Sequence, residues 1–551
     1  MDEVGIVLAM LLAVVASGYL VRIIPFAVPL PLVQIALGAA ISGTTSHGVR
    51  LEPHIFFLVF LPPLLFLDGW RIPKVGLFRD RSTILELALG LVLFTVIGAG
   101  YLIHWLIPSL PLAVSFALAA ILAPTDPVAV SSIAARVPIP PRLMHILEGE
   151  SLLNDASGLV CFRFAVAAAL TGTFSIGNAT LTFLWVALAG IAVGVGLTLL
   201  VSAGQRLLAA RIGEESGSPI LINLLLPFGA YLAAEHLQAS GILAAVAAGV
   251  TMSYVELSGR ALATTRVKRA VVWDTVQFAL NGIMFVLLGE QLPSIVQAAL
   301  HAPELPRPND VWWLLGNALA ISFGLILLRF IWVWVSLRLT LLNARRQEQA
   351  VYRPNPRLIL ATSLAGVRGA ITLAGVLTLP LALPGGAAFP GRDLAIFLAS
   401  AVIVVSLIVA SVGLPHVLRG LELPAEAQHE SEEDGARHAA ALAALDAIAH
   451  APPPAPTSGC DALDDSEMHA SALEQVRSLY QYRLDSGSAA GSGDATPARA
   501  RAAENAERHY RLAALEEERK VLLRMARHNQ LSDEIARKLL REIDLVEARY
   551  R

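Results

Sequence analysis

The chain has 551 residues, of which 55% are hydrophobic and 15% are charged, and its formal net charge at pH 7 is −3. Soluble domains carry about 25% charged residues, so this composition excludes an ordinary soluble protein. A net charge this small gives no argument for nucleic acid as a partner. The two cysteines, Cys161 and Cys460, are about 300 positions apart, which indicates neither a disulfide framework nor a metal site.

Long apolar runs fill the first 420 residues. A membrane span needs about 20 such residues, and backbone groups in lipid must be paired internally, so each run predicts a helix. We predict thirteen spans, at residues 4–21, 25–42, 55–69, 82–106, 111–135, 143–170, 179–204, 218–236, 239–255, 271–291, 311–342, 357–384 and 393–418. The predicted fold class is an all-α polytopic membrane protein.

The basic residues between the spans alternate in number. One set of alternate loops holds 18 Lys and Arg residues, whereas the opposite set holds 3, namely Arg50, Arg307 and Arg392. By the positive-inside rule the first set is cytoplasmic. The N-terminus is then expected outside and the C-terminus inside, in the cell inner (plasma) membrane.

The composition changes after residue 420, where the chain becomes polar, alanine-rich and charged. This change predicts a transmembrane domain over residues 1–420 and a cytoplasmic, partly helical tail over 421–551. The segments APPPAP (451–456) and SGSAAGSGDATP (486–497) are typical of linkers. The stretches 426–450, 463–484 and 499–548 predict surface helices. A solvated tail is the simpler interpretation, and a regulatory or dimer-contacting tail is the alternative.

The fifth span contains APTDPVAV, with Asp126 between Pro124 and Pro127. Proline removes a backbone donor and clashes with the preceding turn, so the helix is predicted to break here. Half-helix ends and freed backbone groups near the middle of the membrane form cation sites in transporters. The alternative is a simple kink in which Asp126 caps the second half-helix.

The sixth span contains EGESLLND, in which Glu150, Ser151, Asn154 and Asp155 share one helix face. A charge inside the bilayer costs about 2.5 to 3.5 kcal/mol on insertion scales, so each one needs a reason. A buried carboxylate that holds either a proton or a cation is sufficient for exchange of the two. A structural network is the alternative, and it describes Glu150 and Asn154 better than Asp155.

The eleventh span places Arg329 near its middle. Arginine stays protonated and only donates hydrogen bonds, so it needs an anionic partner. We predict Glu150 as that partner, in a structural rather than a transporting role, because removal of one member of a buried pair is costly.

The twelfth span contains LAGVRGAITLAGV, in which Gly366, Gly369 and Gly375 loosen the helix around Arg368. We predict that this is the second broken helix. The two interrupted spans, fifth and twelfth, are seven helices apart, as expected of two inverted six-helix repeats joined by one helix. Arg368 either binds the negative half-helix ends or faces the cytoplasm.

Other polar residues carry less information. Asp68, Asp274 and Glu290 lie near predicted span ends, where solvation is cheap, so they are interpreted as interfacial. Asn281 lies nearer the middle of its span and is a candidate for the polar network.

Five motifs together resemble one family. APTDPVAV, EGESLLNDASGLV, FLPPLLFLDG, NGIMFVLLGEQLP and GVRGAITLA are similar to those of the monovalent cation:proton antiporter-1 family, which includes the bacterial NhaP-type antiporters and the animal sodium/proton exchangers. The resemblance spans residues 5–420. It implies thirteen helices divided into a dimerisation domain and a six-helix core domain, an elevator-like movement of the core, and a homodimer.

The resemblance also implies roles for individual residues. The counterpart of Asp155 carries the exchanged proton or cation. The counterparts of Asp126, Ser151 and Thr125, the last through its carbonyl, complete the set of ligands around the monovalent cation. The supporting residues implied are the Glu150–Arg329 ion pair and Asn154, which positions the site.

The Asn-Asp pair at 154–155 is similar to the electroneutral branch of the family. Electrogenic relatives carry Asp-Asp there and a lysine in the tenth span, and residues 275–290 contain no lysine. A single titrating carboxylate fits one proton exchanged for one monovalent cation.

The expected function is therefore secondary antiport, not enzymatic catalysis: Na⁺ or Li⁺ is exchanged for H⁺ by alternating access, with both competing for Asp155 and with no cofactor. A K⁺/H⁺ antiporter of the same fold is the alternative. An ion channel gated by the tail is another class, and an intramembrane hydrolase is disfavoured because the core spans hold no histidine base or metal-ligand set. The sequence leaves open the cation, the pH dependence, and whether the role is salt resistance or pH homeostasis.

Overall fold

The computed structural model describes residues 3–24, 28–43, 53–71, 84–126, 130, 141–171, 176–212, 217–257, 263–306, 310–346, 356–383, 386–419, 439–450 and parts of 471–547. The chain divides into two compact units, Met1–Leu421 and Glu422–Arg551.

The described part of the first unit is helical. Its helices are α1 (Glu3–Ile23), α2 (Leu30–Ser42), α3 (Pro53–Arg71), a π-helical turn (Glu86–Leu91) that continues as α4 (Val92–Leu106), α5 (Leu112–Leu122), α6 (Pro141–Thr171), α7 (Ile176–Ile212), α8 (Ser218–His236), α9 (Gly241–Leu257), α10 (Ala263–Leu300), α11 (Val311–Arg346), α12 (Pro356–Leu364), α13 (Ala370–Leu377) and α14 (Arg392–Leu418).

The predicted fold class is confirmed. Eight helices of the described residues are long and apolar enough to cross a membrane, and α2, α5 and α9 are shorter apolar helices. The described part of the chain forms no strand beyond an isolated bridge between Ala382 and Ala388.

The two spans predicted to be broken are interrupted in the structure. Helix α5 ends at Leu122 and residues 124–126 are non-helical, while residues 127–129 and 131–135 of that span lie outside the described residues. In the twelfth span, α12 ends at Leu364, residues 366–369 are non-helical, and α13 begins at Ala370. The proline after Ala123 and the glycines on either side of Arg368 explain why the backbone leaves the helix at these points.

The helices of the first unit pack as two groups. Helices α1, α2, α3, α7, α8, α9 and α10 pack mainly against one another, and α4, α5, α6, α11, α12, α13 and α14 form the other group. The groups meet where α10 packs on α13 and α14, and where α3 packs on α6 and α13. The interrupted segments of the second group therefore lie against α3 and α10 of the first.

Glycine allows close contact of helix backbones within the first group. A Cβ atom on Gly38 of α2 would lie 1.9 Å from the carbonyl oxygen of Val286, and one on Gly289 of α10 would lie 1.9 Å from that of Ile35. Small residues at such crossings are typical of membrane helices, which associate by packing rather than by the hydrophobic effect. The α2–α10 crossing requires glycine on both sides.

The described residues of the second unit are helical. They include Ala439–Ala449 and parts of the two later predicted helices. Arg519 forms ion pairs with Asp544, at 2.8 Å, and with Glu547, and Leu515 and Ile543 are buried. The two predicted linkers, 451–456 and 486–497, lie outside the described residues, and the cytoplasmic location of the tail stays a prediction.

The α2–α10 crossing gives a first prediction. Gly38→Ala should lower the apparent melting temperature of the purified protein in detergent, because the added methyl group collides with the backbone of α10 and such overpacking costs about 1–3 kcal/mol. Gly196→Ala is the matched control, since a Cβ there meets nothing within 4 Å. Equal melting temperatures for the two variants would contradict the prediction.

Candidate functional site

A cavity of about 30 Å³ lies where the two groups of helices meet. This volume is large enough for a dehydrated ion and a water molecule, since a single water needs about 10–15 Å³. Helices α3 and α10 contribute the polar residues Asp68, Gln277 and Asn281. The polar residues contributed by the second group are Thr125, Asp126, Ser151, Asp155 and Thr372.

The cavity is acidic. Asp68, Asp126 and Asp155 line it, and the lining residues include no Lys or Arg among those that the structure describes. Asp155 is only 4% exposed, and Asp68 and Asp126 are half-buried. Carboxylates that share a site repel one another more strongly as water is excluded. A cation or a proton among them relieves this repulsion, so the site is suited to bind either.

The two interrupted spans cross beside this cavity. The backbone N–H of Asp126 donates a 2.8 Å hydrogen bond to the carbonyl oxygen of Val367. The side chain of Asp126 also lies close to Gly369, where a Cβ atom would be 1.8 Å from Asp126 Oδ2. Only glycine at position 369 leaves room for this carboxylate, so the loosened sequence of the twelfth span positions the aspartate of the fifth.

A buried ion pair lies behind the cavity. Arg329 donates from both terminal nitrogens to the two oxygens of Glu150, at 2.5 and 2.7 Å, and from Nε to the carbonyl oxygen of Thr362 at 3.0 Å. The side chains of Arg329 and Glu150 are 2% and 1% exposed. Glu150 is the partner that the sequence analysis assigns to Arg329, and the pairing leaves this arginine's charge balanced inside the protein.

A hydrogen-bond network joins that ion pair to the cavity wall. Thr125 Oγ1 donates to Glu150 Oε1 at 3.3 Å, and Asn154 Nδ2 donates to Thr125 Oγ1 at 3.1 Å. Asn154 Nδ2 also lies 3.5 Å from Glu150 Oε1. Thr125 is thus held by two residues of α6, Glu150 and Asn154. These hydrogen bonds fix the backbone just before Asp126.

The structure decides between the two positions considered for Arg368. Its Nε donates to the carbonyl oxygen of Leu122 at 2.9 Å, and its Nη1 donates to that of Gly366. Its backbone N–H donates to Ser406 Oγ at 3.1 Å. Leu122 is the last residue of α5 and Gly366 follows the end of α12, so the guanidinium neutralises the negative ends of both half-helices.

The structure brings the eight predicted site residues together, in two layers. Four of them line the cavity: Thr125, Asp126, Ser151 and Asp155. The other four, Glu150, Asn154, Arg329 and Arg368, form the hydrogen-bonded support behind it.

The sequence analysis does not assign two residues of the cavity wall to the site, and it misplaces one further buried acid. Asp68 was interpreted as interfacial but lines the cavity, and Gln277 was not considered. Gln277 and Asn281 are four residues apart on an apolar helix, the same signal that identified the polar face of α6. Glu290 was placed near a span end, yet it is buried because α10 continues ten residues further to Leu300.

These features define a polytopic helical membrane protein with an acidic cavity between two groups of helices. The model of the family described as "Sodium/hydrogen exchanger, transmembrane" matches residues 8–420. The chain belongs to the sodium/hydrogen exchanger family, and the resemblance drawn from its motifs is confirmed.

Relatives and solved structures agree with this assignment. The chain is 40% identical over 547 residues to the uncharacterized Na⁺/H⁺ exchanger YjcE of Escherichia coli (strain K12), with 98% of both chains covered. It is 43% identical over 425 residues to the sodium, potassium, lithium and rubidium/H⁺ antiporter of Bacillus subtilis (strain 168), covering 75% of this chain and 61% of that one. These relatives are named as transporters rather than as enzymes.

The fold is similar to that of a solved structure. The sodium proton antiporter MjNhaP1 of Methanocaldococcus jannaschii matches with a TM-score of 0.56 at 19% identity, over 77% of this chain and 100% of that chain. At this level of identity the match establishes the fold.

The buried ion pair gives a second prediction. Arg329→Gln should destabilise the protein strongly, by about 3–5 kcal/mol, because it leaves the Glu150 carboxylate buried and unpaired. The double variant Glu150→Gln/Arg329→Gln should recover part of this loss, since it removes both charges. Thermal melting in detergent measures both effects.

The control for this prediction is Arg163→Gln. Arg163 pairs with Glu235 at 3.4 Å, and the two side chains are 55% and 36% exposed. Solvent-exposed pairs contribute about 0–1 kcal/mol. If Arg329→Gln melted no lower than Arg163→Gln, the structural role of the buried pair would be wrong.

Proposed function

We propose that this protein is a secondary active antiporter that exchanges a monovalent cation, Na⁺ or Li⁺, for a proton at Asp155. The observation that carries the proposal is the position of Asp155. It is buried on α6, in an acidic cavity beside the crossing of two interrupted spans. A carboxylate buried inside a membrane protein is costly, so its presence indicates a function. Alternate binding of a proton and a cation is the function that this environment suits.

Competition for one carboxylate is sufficient to couple the two fluxes. When Asp155 is protonated, the cavity holds one negative charge fewer and binds a cation weakly. When the proton leaves, Asp155 joins Asp126, Ser151 and the carbonyl oxygen of Thr125 as oxygen ligands for the cation. No resident cofactor enters this scheme, and the monovalent cation is cargo.

The charge balance around Asp155 supports electroneutral exchange. Asn154, its neighbour on α6, is neutral, and the charge of Glu150 is cancelled by Arg329. One proton and one monovalent cation then replace each other on a single carboxylate. The transport cycle moves no net charge across the membrane.

Alternating access requires the cavity to open to each side in turn. Asp68 is followed one turn later by exposed Arg71, at the end of α3 that is predicted to be cytoplasmic. On the opposite side, the Arg163–Glu235 pair joins α6 to α8 across the two groups of helices. Arg163 is eight residues beyond Asp155, or about 12 Å along α6. We infer that this arrangement belongs to an inward-facing state and that movement of one group against the other reverses it.

The wider architecture belongs to the same proposal. It comprises thirteen spans in two inverted six-helix repeats, with the interruptions in equivalent spans, in the inner (plasma) membrane. The N-terminus lies outside, the tail lies in the cytoplasm, and two chains form a homodimer. This arrangement is supported by the two groups of helices and by the alternating number of Lys and Arg residues in successive loops.

K⁺ is the second candidate for the exchanged cation. The Bacillus subtilis relative is named for exchange of sodium, potassium, lithium and rubidium. The carboxylate, hydroxyl and carbonyl oxygens of the cavity are ligands that all of these ions accept. The mechanism at Asp155 would be unchanged.

The proposal predicts that Asp155→Asn abolishes exchange. The amide neither releases a proton nor balances the charge of a cation, so cation-induced proton flux in inside-out vesicles should fall to background with Na⁺, Li⁺ and K⁺. A ΔpH-sensitive dye reports the flux, and size-exclusion chromatography reports folding. Asp393→Asn, at an exposed position at the start of α14, should exchange like wild type. Full exchange by Asp155→Asn would overturn the proposal.

Electroneutrality is tested separately. Proteoliposomes on a solid-supported membrane should give no transient current on a Na⁺ concentration jump, while the ΔpH dye reports exchange in the same preparation. A cation-dependent current that disappears in Asp155→Asn would show that more than one charge is coupled to each cation.

A further inference from the structure

Gln277 is the residue of α10 at which the cavity wall is tied to α3. We propose that Gln277, held by Arg71, is a specificity-determining residue that disfavours the larger cation K⁺ relative to Na⁺ and Li⁺. The inference rests on the proposed function, since it concerns which cation the cavity accepts in exchange for the proton.

The first step is the orientation of the amide. Arg71 Nη1 donates a 2.8 Å hydrogen bond to Gln277 Oε1, and Arg71 Nη2 donates to Asp274 Oδ1. A guanidinium group has donors and no acceptor, so it selects the oxygen of the glutamine side chain rather than its nitrogen. If the Gln277 amide were flipped, its NH₂ group would face the positively charged guanidinium of Arg71. Asp274, one turn before Gln277, holds the second arm of the guanidinium and keeps Arg71 in place.

The second step is what this orientation leaves for the cavity. Gln277 lines the cavity together with Asp68 and Asp155. Because Arg71 engages its oxygen, the group left for the cavity is the NH₂ group. An amide N–H donates to a carboxylate but cannot bind a cation. Gln277 therefore occupies a place in the wall without supplying a ligand there.

The third step is the effect on different cations. A cation that enters the cavity exchanges its hydration shell for protein oxygens. Ligand number and cavity size together decide between ions of different radius, and the larger ion takes more oxygens. A wall position that carries a donor instead of an oxygen removes one ligand and some volume. The loss is greater for K⁺ than for Na⁺ or Li⁺.

Gln277→Glu tests the inference at constant shape. Glutamate keeps an oxygen for Arg71 and replaces the cavity-facing NH₂ group by a second oxygen. The ratio of apparent KM values for K⁺ and Na⁺, measured from the ΔpH signal in proteoliposomes, should fall by about tenfold, the change that one favourable ligand of 1.4 kcal/mol produces. In Gln277→Met, the methionine side chain has neither a donor nor a ligand oxygen. The ratio of KM values should therefore stay within about twofold of wild type.

A double-mutant cycle separates the amide from the charge of Arg71. Arg71→Met releases the glutamine amide to rotate its oxygen into the cavity, so the ratio should again fall. The same change in the Gln277→Met background should have no effect, because no amide remains, although the change in charge is identical. Asp393→Asn, at an exposed position outside this network, should exchange with the wild-type ratio.

The outcomes are distinct. An equal shift on Arg71→Met in both backgrounds would overturn the inference and assign the effect to long-range charge. An unchanged ratio in both Gln277→Glu and Arg71→Met would also overturn it, while exchange by wild type left the proposed function standing. Absence of cation-dependent proton flux in wild type with Na⁺, Li⁺ and K⁺ would overturn the proposed function and this inference with it.

Discussion

The organisation of the site depends on one constraint: a backbone that leaves the helix inside a membrane must still pair its polar groups with protein. Two spans of this chain do so, after Leu122 and after Leu364. Arg368 binds carbonyl oxygens at both ends, and the N–H of Asp126 pairs with the carbonyl of Val367. Each interruption is satisfied largely by the other, so the crossing forms as a unit.

Charge is distributed around this crossing in two ways. Glu150 and Arg329 are bound to each other and buried, so their charges cancel and contribute to the architecture. Asp68, Asp126 and Asp155 line a cavity whose described lining contains no basic residue, so this wall is suited to a mobile cation. Carboxylates of the same span thus differ in whether a fixed arginine binds them. Asn154 and Thr125 connect the two sets by hydrogen bonds.

The two groups of helices differ in what their contacts permit. Inside the first group, Gly38 and Gly289 bring the backbones of α2 and α10 into direct contact, which leaves little freedom to slide. Between the groups lie the polar cavity and the partly exposed Arg163–Glu235 pair, together with apolar packing of α10 against α13 and α14.

The sequence by itself determined the all-helical membrane fold class and the polar face of α6. Apolar length and helical period are local properties, and a charge in an apolar run is conspicuous because burial in lipid is so costly. It also indicated both interruptions, since Pro124 and the glycines around Arg368 act on their own turns of backbone. Glu150 was a candidate partner for Arg329 because a buried arginine needs an anion, and the family resemblance implies the same ion pair.

Only the tertiary structure decided which distant residues share the cavity. Asp68 and Gln277 belong to spans more than 200 positions apart and join the site because α3 and α10 pack against the crossing. The position of Arg368 was equally undetermined, because its partner carbonyls belong to backbone that any residue carries and no side-chain pattern marks them. Contacts between helices depend on how their faces dock, and that information is spread over the whole unit rather than contained in any one span.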